Sequence, residues 1–492
     1  MGLEKFAPAG AEVTVFDIGK RMIDTPPHMS DGKMTSETIA AIYSRLHGEF
    51  GKGFPPPKSH FGQSPTKFLV DSKPRLWKSE HFGGLTNFWG GGMLPFTDRE
   101  FEEWPVTAAE MDPYYRIVGE HLGVCGESDR LNDYFLVDYV NRPPLKTSHV
   151  VEKLRDTINA HSEAPRHGVA YSMIAGASRL ALETRQDSSS ACAYTGECML
   201  GCTRDAIWSS AREIARLRAN GTVSVFVRGK VLEIRQRHIR FCPDSESVVE
   251  TKGPYVRIFI AAGCIGSTEI VMRTFGISQG PEMVDTAVQS FPLFYFGAAG
   301  GLRGDDDKYF ALSNLAVMGI PDIGSSLNAV QVSVYPAFDH LWRFYTPRIF
   351  WPVMSRLWKL GRWRLMLGRA YFDGVADRKL AFELSDDRLV IRQGAEPRDT
   401  RIAKTFMRSL RGATNHAGFY VPPITPIGHG TSSHYGCTLP YNGGLLNVTR
   451  SGRVETGIYL ADAATFPKMP AISPTFTIVA NACRTVYEAL QD

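Results

Sequence analysis

The segment at 83–92 carries the residue types that most directly indicate chemistry. It reads Gly-Gly-Leu-Thr-Asn-Phe-Trp-Gly-Gly-Gly, with five glycines and one tryptophan. Glycine weakens both helices and strands and offers no side chain to bury. Its small size lets the backbone pass close to another group, while the length and the indole argue against an ordinary surface turn. The segment therefore predicts a loop that covers something flat, rigid and not made of protein.

Two other positions suggest contacts with a bound cofactor. Asp17 ends the short apolar stretch 12–17, as the second strand of a dinucleotide-binding unit ends in a carboxylate that accepts from a ribose hydroxyl. An ordinary strand with a capping aspartate stays open as an alternative. Ser473-Pro474 has the residue types of an N-cap followed by a proline in the first helical turn. The N–H groups at such a helix start attract negative charge.

The glycine loop and the C-terminal segment both resemble those of glucose–methanol–choline (GMC) oxidoreductases, which are FAD-dependent enzymes. The loop shares the glycine pair, the threonine and the Trp-Gly-Gly sequence of the family. The C-terminal segment shares, in the same order, His434 in a glycine-rich turn, a strand that ends in Asp462, and the Pro474-Thr475 helix start. The resemblance covers essentially the whole chain and is nearest to bacterial sugar or alcohol dehydrogenases.

The resemblance implies an α/β fold of two domains. One is a discontinuous Rossmann-like FAD-binding domain formed by 1–290 and 428–492. The other is a substrate domain with an antiparallel sheet, inserted at 291–427. Two domains also suit the length, because 492 residues exceed one typical core.

The implied reaction is the oxidation of a CH–OH group of a sugar or alcohol by hydride transfer to flavin N5. Hydride removal is easier when the hydroxyl proton leaves to a base, and imidazole has a suitable pKa near neutrality. The resemblance assigns this role to His434, with His429 as the competing histidine. Ser473 stands where the family usually carries the Asn or His that holds the substrate oxygen, and serine is shorter.

The resemblance also implies a set of FAD-binding residues. Phe88 lies near the position where some relatives carry a histidine that binds the flavin covalently, so we expect non-covalent FAD. The implied FAD contacts are Asp17, Gly84, Thr86, Asn87, Trp89, Val227, Asp462, Ala463, Pro474 and Thr475.

The sequence departs from the family before Asp17. A G-x-G-x-x-G fingerprint normally lies about 20 residues before this acid. Only 16 residues precede Asp17 and none of them forms the fingerprint. We expect that the first strand and the pyrophosphate loop are lacking, through either a start codon assigned too late or a true truncation. A non-catalytic relative that cannot hold FAD is therefore an alternative function.

Three cysteines have a spacing like that of ferredoxins. Cys192, Cys198 and Cys202 form C-x5-C-x3-C, which is the iron–sulfur pattern C-x2-C-x2-C-x3-C with one cysteine replaced by Thr195. Three thiolates suit a [3Fe–4S] cluster, which some membrane-coupled GMC dehydrogenases use to pass electrons to a quinone or cytochrome. Structural cysteines, free or in a disulfide, are the alternative.

A cationic aromatic stretch lies at 341–369. It contains six arginines, one lysine, four of the eight tryptophans and no acidic residue. Indoles and arginines together suit the headgroup layer of an anionic membrane. We expect a peripheral contact at the inner face of the membrane, and a lipid-linked substrate is a further alternative. A substrate-domain helix with inward aromatics and outward arginines would give the same composition.

Composition excludes several other classes of protein. The net charge of +4 is too small to indicate nucleic-acid binding. The eight cysteines are mostly scattered, unlike a secreted disulfide framework. The N-terminus has no signal pattern, and no apolar run is long enough to span a membrane. We expect a cytoplasmic protein.

Apolar spacing predicts the elements that position these residues. Helices are expected at 35–49, 107–123 and 206–218, and strands at 12–17, 222–234 and 256–262. We expect 130–185 to be rich in loops and 291–420 to contain several strands.

Overall fold

The computed structural model describes most of the chain. The described residues are 1–20, 29–30, 33–50, 59–61, 63–71, 73–162, 170–243, 248–298, 312–322, 327–337, 350–374, 379–385, 388–394, 401–423 and 432–492.

The helices of these residues are short to medium in length. They are α1 Gly2–Phe6, α2 Ser36–Phe50, α3 Asp98–Phe101, α4 Ala108–Leu122, α5 Asn132–Phe135, α6 His149–Ser162, α7 Ser210–Ala219, α8 Gly263–Phe275, α9 Trp351–Gly361, α10 Arg401–Thr414 and α11 Thr475–Gln491. Short 3₁₀ turns occupy Gly84–Asn87, Arg362–Arg364, Asn415–Ala417 and Ala463–Thr465.

The strands contribute to several sheets. They are β1 Thr14–Asp17, β2 Met29–Ser30, β3 Lys33–Met34, β4 Thr66–Val70, β5 Lys73–Lys78, β6 Tyr171–Ala177, β7 Val225–Arg235, β8 His238–Pro243, β9 Glu250–Lys252, β10 Ile258–Ile260, β11 Gln279–Asp285, β12 Ala287–Tyr295, β13 Leu315–Pro321, β14 Val330–Pro336, β15 Leu365–Phe372, β16 Lys379–Ser385, β17 Arg388–Gln393, β18 Phe419–Tyr420, β19 Tyr435–Gly436, β20 Arg453–Glu455 and β21 Ile458–Leu460.

Two small sheets contain parallel strand pairs. One has the order β1-β7-β8-β9, with β1 parallel to β7. The other has the order β10-β21-β20, with β10 parallel to β21. Helix α8 follows β10 directly and packs on β7, where the Thr274 hydroxyl accepts a hydrogen bond of 3.0 Å from the Ile234 amide. The parallel pairs are therefore held together through this helix.

Two larger sheets have six strands each. One is mixed, with the order β19-β11-β16-β17-β4-β5, and its only parallel pairing among the described strands joins β17 and β4. The other has the order β18-β12-β15-β14-β13-β6, and all its recorded pairings are antiparallel. We call the second one the antiparallel sheet below.

The antiparallel sheet has one apolar face and one polar face. Val330, Val332 and Val334 of β14 are buried in a core formed with helices α6 and α10. Helix α10 turns its buried residues toward this core, and Phe406 packs edge-on against Tyr171 of β6 at 5.5 Å between ring centroids. Because side chains alternate along a strand, the polar residues between these valines point to the opposite face.

Most predicted elements are confirmed, with boundaries that differ by a few residues. The mixed α/β fold is confirmed. The expected loop-rich region 130–185 is wrong in part, because it contains helix α6 and strand β6. The apolar spacing of the helix at 149–162 accounts for its burial, and sequence reasoning overlooked it. Ser473 lies two residues before the first helical residue and is not the N-cap, because Pro474 is the N-cap and α11 begins at Thr475.

The domain limits stay a prediction. The antiparallel sheet takes in β6 and all of β12, which lie wholly or partly before the expected limit at 290. Strands β16 and β17, which were assigned to the substrate domain, join the mixed sheet instead. The sheets therefore cross the expected limits. No helix in the described part of the chain has the length and apolar character needed to span a bilayer.

A buried arginine ties helix α11 to the preceding loop. The Arg484 side chain is fully buried and donates to the Asn481 side-chain oxygen at 2.9 Å, to the Glu488 carboxylate at 2.8 Å and to the Tyr441 hydroxyl at 3.1 Å. Replacing the arginine alone is costly, because its partners then lose their hydrogen bonds in an apolar environment.

We expect Arg484→Ala to lower the free energy of unfolding by roughly 3–5 kcal/mol, because it leaves the buried side-chain oxygen of Asn481 without its donor. The measurement is urea denaturation at neutral pH. Arg450→Ala is the matched control, because its ion pair with Glu488 is on the surface and is expected to contribute about 1 kcal/mol or less. Equal losses in the two variants would contradict the structural role of Arg484.

Candidate active site

The glycine-rich loop is fixed against the start of helix α7. The Thr86 hydroxyl accepts from the Ser210 amide at 3.0 Å, and the Ser210 hydroxyl donates to the Gly83 carbonyl at 2.7 Å. Gly83 has a φ of +87°, and a Cβ at this position would lie 2.6 Å from the Ala211 nitrogen. Glycine is required here for both its backbone conformation and its size.

Two more side chains of the loop bind the protein. The Asn87 amide donates to the Phe82 carbonyl at 2.8 Å, and the Trp89 indole donates to the Trp208 carbonyl at 2.8 Å. Thr86, Asn87 and Trp89 were expected to contact the cofactor through the family resemblance. In the structure their polar groups position the loop, and contacts of these residues with a cofactor stay a prediction. Gly84, in the 3₁₀ turn, is partly exposed and has no heavy atom near its Cβ position.

Asp17 lies at the end of β1, beside the loop. Its carboxylate accepts from the Gly19 amide at 2.6 Å and from the Gly83 amide, while burial raises its pKa to about 6. Val227 is buried on the neighbouring strand, where it pairs with Phe16. The structure therefore brings Asp17 next to the glycine loop, and a contact between Asp17 and a ribose stays a prediction.

Asp462 connects the end of β21 to the start of helix α8. It accepts from the Ser267 hydroxyl at 2.5 Å and from the Ala464 amide at 2.9 Å, and burial raises its pKa. Ala463 is buried, and its carbonyl accepts from the Cys437 amide at 3.0 Å. These two expected cofactor contacts hold the strand, the helix and the 437 turn together.

His434 is held at the junction of the two six-stranded sheets. Its amide donates to the Ser432 hydroxyl at 2.8 Å, and its carbonyl accepts from the Thr286 amide at 3.0 Å, between β11 and β12. The imidazole stacks on the Tyr371 ring, with 4.9 Å between centroids and 19° between planes. The guanidinium carbon of Arg369 lies 5.5 Å from the centroid of the same tyrosine ring.

The imidazole of His434 is neutral and offers an unused nitrogen. Part of the residue surface is exposed, but Nδ1 is buried and has no hydrogen-bond partner among the residues that the structure describes. Burial, and secondarily the positive charge of Arg369, lower the pKa of His434 from 6.5 to about 3. The side chain therefore presents an acceptor nitrogen at all pH values near neutrality.

Ser473 lies across the same face from the glycine loop. Its amide donates to the Gln331 side-chain oxygen at 2.8 Å, and the Gln331 amide group donates to the Ser473 hydroxyl at 3.2 Å. A Cβ on Gly92 would approach this hydroxyl to 3.2 Å. Gln331 stands directly opposite Tyr371 in the β14–β15 pair. One connected site therefore runs from His434 to the glycine loop through Tyr371, Gln331 and Ser473.

The helix start next to this site has a mixed exposure. Pro474 is buried and Thr475 is partly exposed in the first turn of α11. The competing histidine, His429, lies outside the described residues. The structure thus brings His434, Ser473 and the helix start together, and it places Asp17 and Asp462 at the ends of the parallel strands.

Sequence analysis did not find the residues that connect the site. Gln331, Ser333 and Tyr335 alternate with buried valines on β14, and Arg369 and Tyr371 alternate with buried apolar residues on β15. Asp373, directly after β15, accepts from the Ala471 amide at 2.7 Å, and burial raises its pKa to about 7. The available signal was polar residues at period two within otherwise apolar strands.

The three cysteines lie near one another in a small cluster with Cys125 and the Trp89 indole. None of the eight cysteines is in a disulfide. The Ala206 amide donates to the sulfur of Cys202 at 3.2 Å, and burial raises the pKa of Cys192 to about 11. The sulfurs of Cys192, Cys198 and Cys202 do not gather within 4.8 Å of one another, as ligands of a single ion would. The iron–sulfur cluster stays a prediction.

The group that does gather within this distance is formed by Glu4, His121 and Glu213. Arg216 forms ion pairs of 2.7 Å with both carboxylates. Within the described residues these side chains form an ion-pair network that joins α1, α4 and α7. The guanidinium already supplies the positive charge that a metal ion would bring.

Comparison with known proteins places the fold. No protein-family model matches the chain, and neither does any curated protein. Pyridoxine 4-oxidase from Mesorbium loti has a similar structure, with a TM-score of 0.56 and 12% identity over 97% of this chain and 94% of that one. An FAD-dependent oxidoreductase from Chaetomium thermophilum is similar over 87% of this chain and 89% of its own, with a TM-score of 0.52 and 12% identity. At this identity the similarity shows that the fold is shared.

We expect Gly83→Ala to lower the free energy of unfolding by roughly 2–4 kcal/mol, from the strained φ and the contact with Ala211. Gly84→Ala is the matched control. It also has a positive φ but has open space around its Cβ position, so we expect a loss of about 1–2 kcal/mol. Chemical denaturation measures both, and a smaller loss in Gly83→Ala would contradict the packing of the loop on α7.

The pKa of His434 provides a second test of the site. Histidine-labelled NMR should show an imidazole that stays neutral down to about pH 3. Because folding lowers this pKa, only the unfolded chain is protonated between pH 6.5 and 3. The His434 contribution therefore lowers the free energy of unfolding as the pH falls through this window. Arg369→Gln should raise the pKa, whereas Arg388→Gln, at an exposed position of another sheet, should leave it unchanged. An unchanged His434 pKa in the Arg369→Gln variant would contradict the described geometry.

Proposed function

We propose that the protein is an FAD-dependent oxidoreductase that removes a hydride from a CH–OH group of a sugar or alcohol. The observation that carries the proposal is the neutral imidazole of His434, whose buried Nδ1 has no partner within the described part of the chain, on the same face as Ser473 and the glycine loop. The two structurally similar proteins are supporting context, since one is an oxidase of pyridoxine and the other is FAD-dependent by its description.

The residues of the site fit a flavin in three respects. Gly90 and Gly92 expose backbone without side chains, and the closest groups to their Cβ positions are the hydroxyls of Tyr335 and Ser473. The α11 helix begins at Thr475, so its free N–H groups lie next to the same face. Asp17 lies near the other end of the loop, where a ribose hydroxyl would be held. Phe88 is buried and cannot form a covalent bond to a flavin.

FAD, when bound, supplies an acceptor for the two electrons of the hydride. The chain's own residues handle the proton and the orientation of the alcohol. His434 is the proposed acceptor of the hydroxyl proton, although burial and Arg369 lower its pKa to about 3 and so make its imidazole a much weaker base than a histidine with its usual pKa near neutrality. Ser473, fixed by Gln331, can hold the substrate oxygen through its hydroxyl.

The polar residues of the face suit a substrate with several hydroxyl groups. Gln331 and Ser333 are adjacent on β14, with 3.5 Å between the amide nitrogen and the hydroxyl, and both can donate and accept. Tyr335 follows on the same face. Such a set of groups favours a sugar or polyol over an aliphatic alcohol. Electrons would leave to an external acceptor such as a quinone or cytochrome, and a [3Fe–4S] cluster at Cys192, Cys198 and Cys202 is the proposed relay.

A non-catalytic relative is the second candidate function. Among the described strands, β1 pairs only with β7, and β10 pairs only with β21, so no strand joins the two parallel pairs. The residues after β10, Ala261 to Gly263, are exposed. A weak pyrophosphate site would follow from this arrangement and would lower the affinity for FAD.

The test is reconstitution with FAD followed by anaerobic flavin reduction with a panel of sugars and alcohols. His434→Ala should slow reduction by roughly two to four orders of magnitude, as loss of a general base usually does. His149→Ala, on an exposed surface, is the control. His429→Ala should cost much less than His434→Ala, and the reverse ranking would assign the base to His429.

The same sample distinguishes the two candidates. Acid precipitation should release FAD into the supernatant, because Phe88 offers no attachment. Flavin that stays with the pellet would contradict non-covalent binding. Absence of FAD binding at saturating flavin, in a chain that is folded by circular dichroism, would favour the non-catalytic relative.

A further inference from the structure

Helix α9 carries an apolar stripe that faces solvent. Phe350, Val353, Met354 and Leu357 are spaced i, i+3, i+4 and i+7, so they lie on one side of the helix. Their exposed fractions are 60%, 63%, 40% and 59%. A surface helix normally turns such a stripe toward the core, and here the partly buried positions Ser355 and Trp358 lie on another side. The helix therefore presents an apolar stripe to solvent.

A second exposed apolar group lies beside the end of this helix. Phe296 is 70% exposed, and its ring stacks on that of Phe294 at 6.0 Å and lies 6.3 Å from that of the exposed Tyr420. Arg364, three residues after the helix, donates to the carbonyls of Tyr295 at 3.0 Å and Gly297 at 2.8 Å. This arginine fixes the end of α9 next to the aromatic group. We call the helix stripe and the aromatic group together the apolar surface.

The charged residues of the segment that contains α9 have one sign. The sequence 341–369 contains seven cations and no acidic residue. Arg356 is exposed on α9, about 60° around the helix from Val353, and Arg362 follows in the next turn. An apolar strip flanked by cations and aromatic rings matches the boundary between headgroups and acyl chains of an anionic bilayer.

We propose that the apolar surface docks onto an anionic lipid bilayer, with Phe350, Val353, Met354 and Leu357 in the acyl boundary and the arginines among the headgroup phosphates. The helix lies in the plane of the membrane and does not cross it. A dimer of this chain would instead place the same cationic flanks against each other, which costs electrostatic free energy.

The docking surface connects directly to the candidate active site. Helix α9 leads through the 3₁₀ turn at Arg362–Arg364 into β15, and the far end of that strand carries Arg369 and Tyr371. At about 3.3 Å per residue, Tyr371 lies roughly 20 Å from the start of the strand. The site therefore lies no more than roughly 20 Å along the strand from the end of the docking surface. The inference stands on the exposed helix and does not require the proposed function.

The experiment is co-sedimentation of the full chain with vesicles of phosphatidylcholine plus phosphatidylglycerol, and with vesicles of phosphatidylcholine alone. The wild-type protein should prefer the anionic vesicles, and added salt should weaken the binding. The double variant Val353→Asp with Leu357→Asp should lose at least about tenfold in affinity, because two apolar side chains no longer enter the bilayer. The matched control is Leu136→Asp with Val256→Asp, which changes two equally exposed apolar residues elsewhere and should bind like the wild type.

A single charge reversal tests the electrostatic contribution to vesicle binding separately from the apolar contribution. Arg356→Glu should reduce binding to anionic vesicles by roughly tenfold and leave any binding to neutral vesicles unchanged. All variants alter exposed residues, and thermal melts check that they fold. Equal binding of wild type and double variant, or no preference for anionic vesicles, overturns the proposal. A dimer that dissociates in the double variant, without vesicle binding, would instead assign the apolar surface to a second copy of the chain.

Discussion

The alternation of side chains along β14 and β15 is the constraint on which the candidate site depends. The valines of β14 must enter the core with α6 and α10, so the residues between them must point to the opposite face. That requirement places Gln331 beside Tyr371 and Ser333 beside Arg369, in one register. A shift of one residue would place the glutamine in the apolar core and remove the valines from it. The hydrophobic core thus fixes the polar face without any contact to it.

The electrostatics of His434 follow from this arrangement. The strand register places Arg369 two residues from Tyr371, on which the imidazole stacks. The nearby cation and the burial both disfavour a charged imidazole, so the ring remains a neutral acceptor. The turn before β19 holds the backbone of His434, since Ser432 and Thr286 bind its amide and carbonyl. The position of the side chain is therefore set by three separate elements.

Sequence reasoning predicted the elements with strong periodicity and the residues within compact motifs. The helices at 36–50 and 108–122 and the strand that ends in Asp17 are observed within a few residues of the predicted limits. The glycine loop was found because five glycines near one tryptophan suit few other structures. The roles of Thr86 and Trp89 could not be predicted, because their partners at 208–210 lie more than a hundred residues away.

Other features depend on contacts that a single sequence does not specify. The site residues Gln331, Arg369 and Tyr371 come together only because β14 pairs with β15. The turn that carries His434 then packs against Tyr371. The composition of 341–369 predicted a cationic aromatic surface, but only the structure shows which side of the 351–361 helix faces solvent. Strand pairing and helix orientation are tertiary properties, and local propensity does not determine them.

The central claim is that the polar face of the antiparallel sheet and the glycine loop together form a flavin site. A crystal structure of the chain soaked with FAD tests it most directly. The account predicts the flavin ring between the Gly90–Gly92 backbone and the face with Gln331 and Tyr371, near His434, and the ribose of the adenosine near Asp17. A flavin bound elsewhere, or a face filled by this chain's own side chains at saturating FAD, would contradict it.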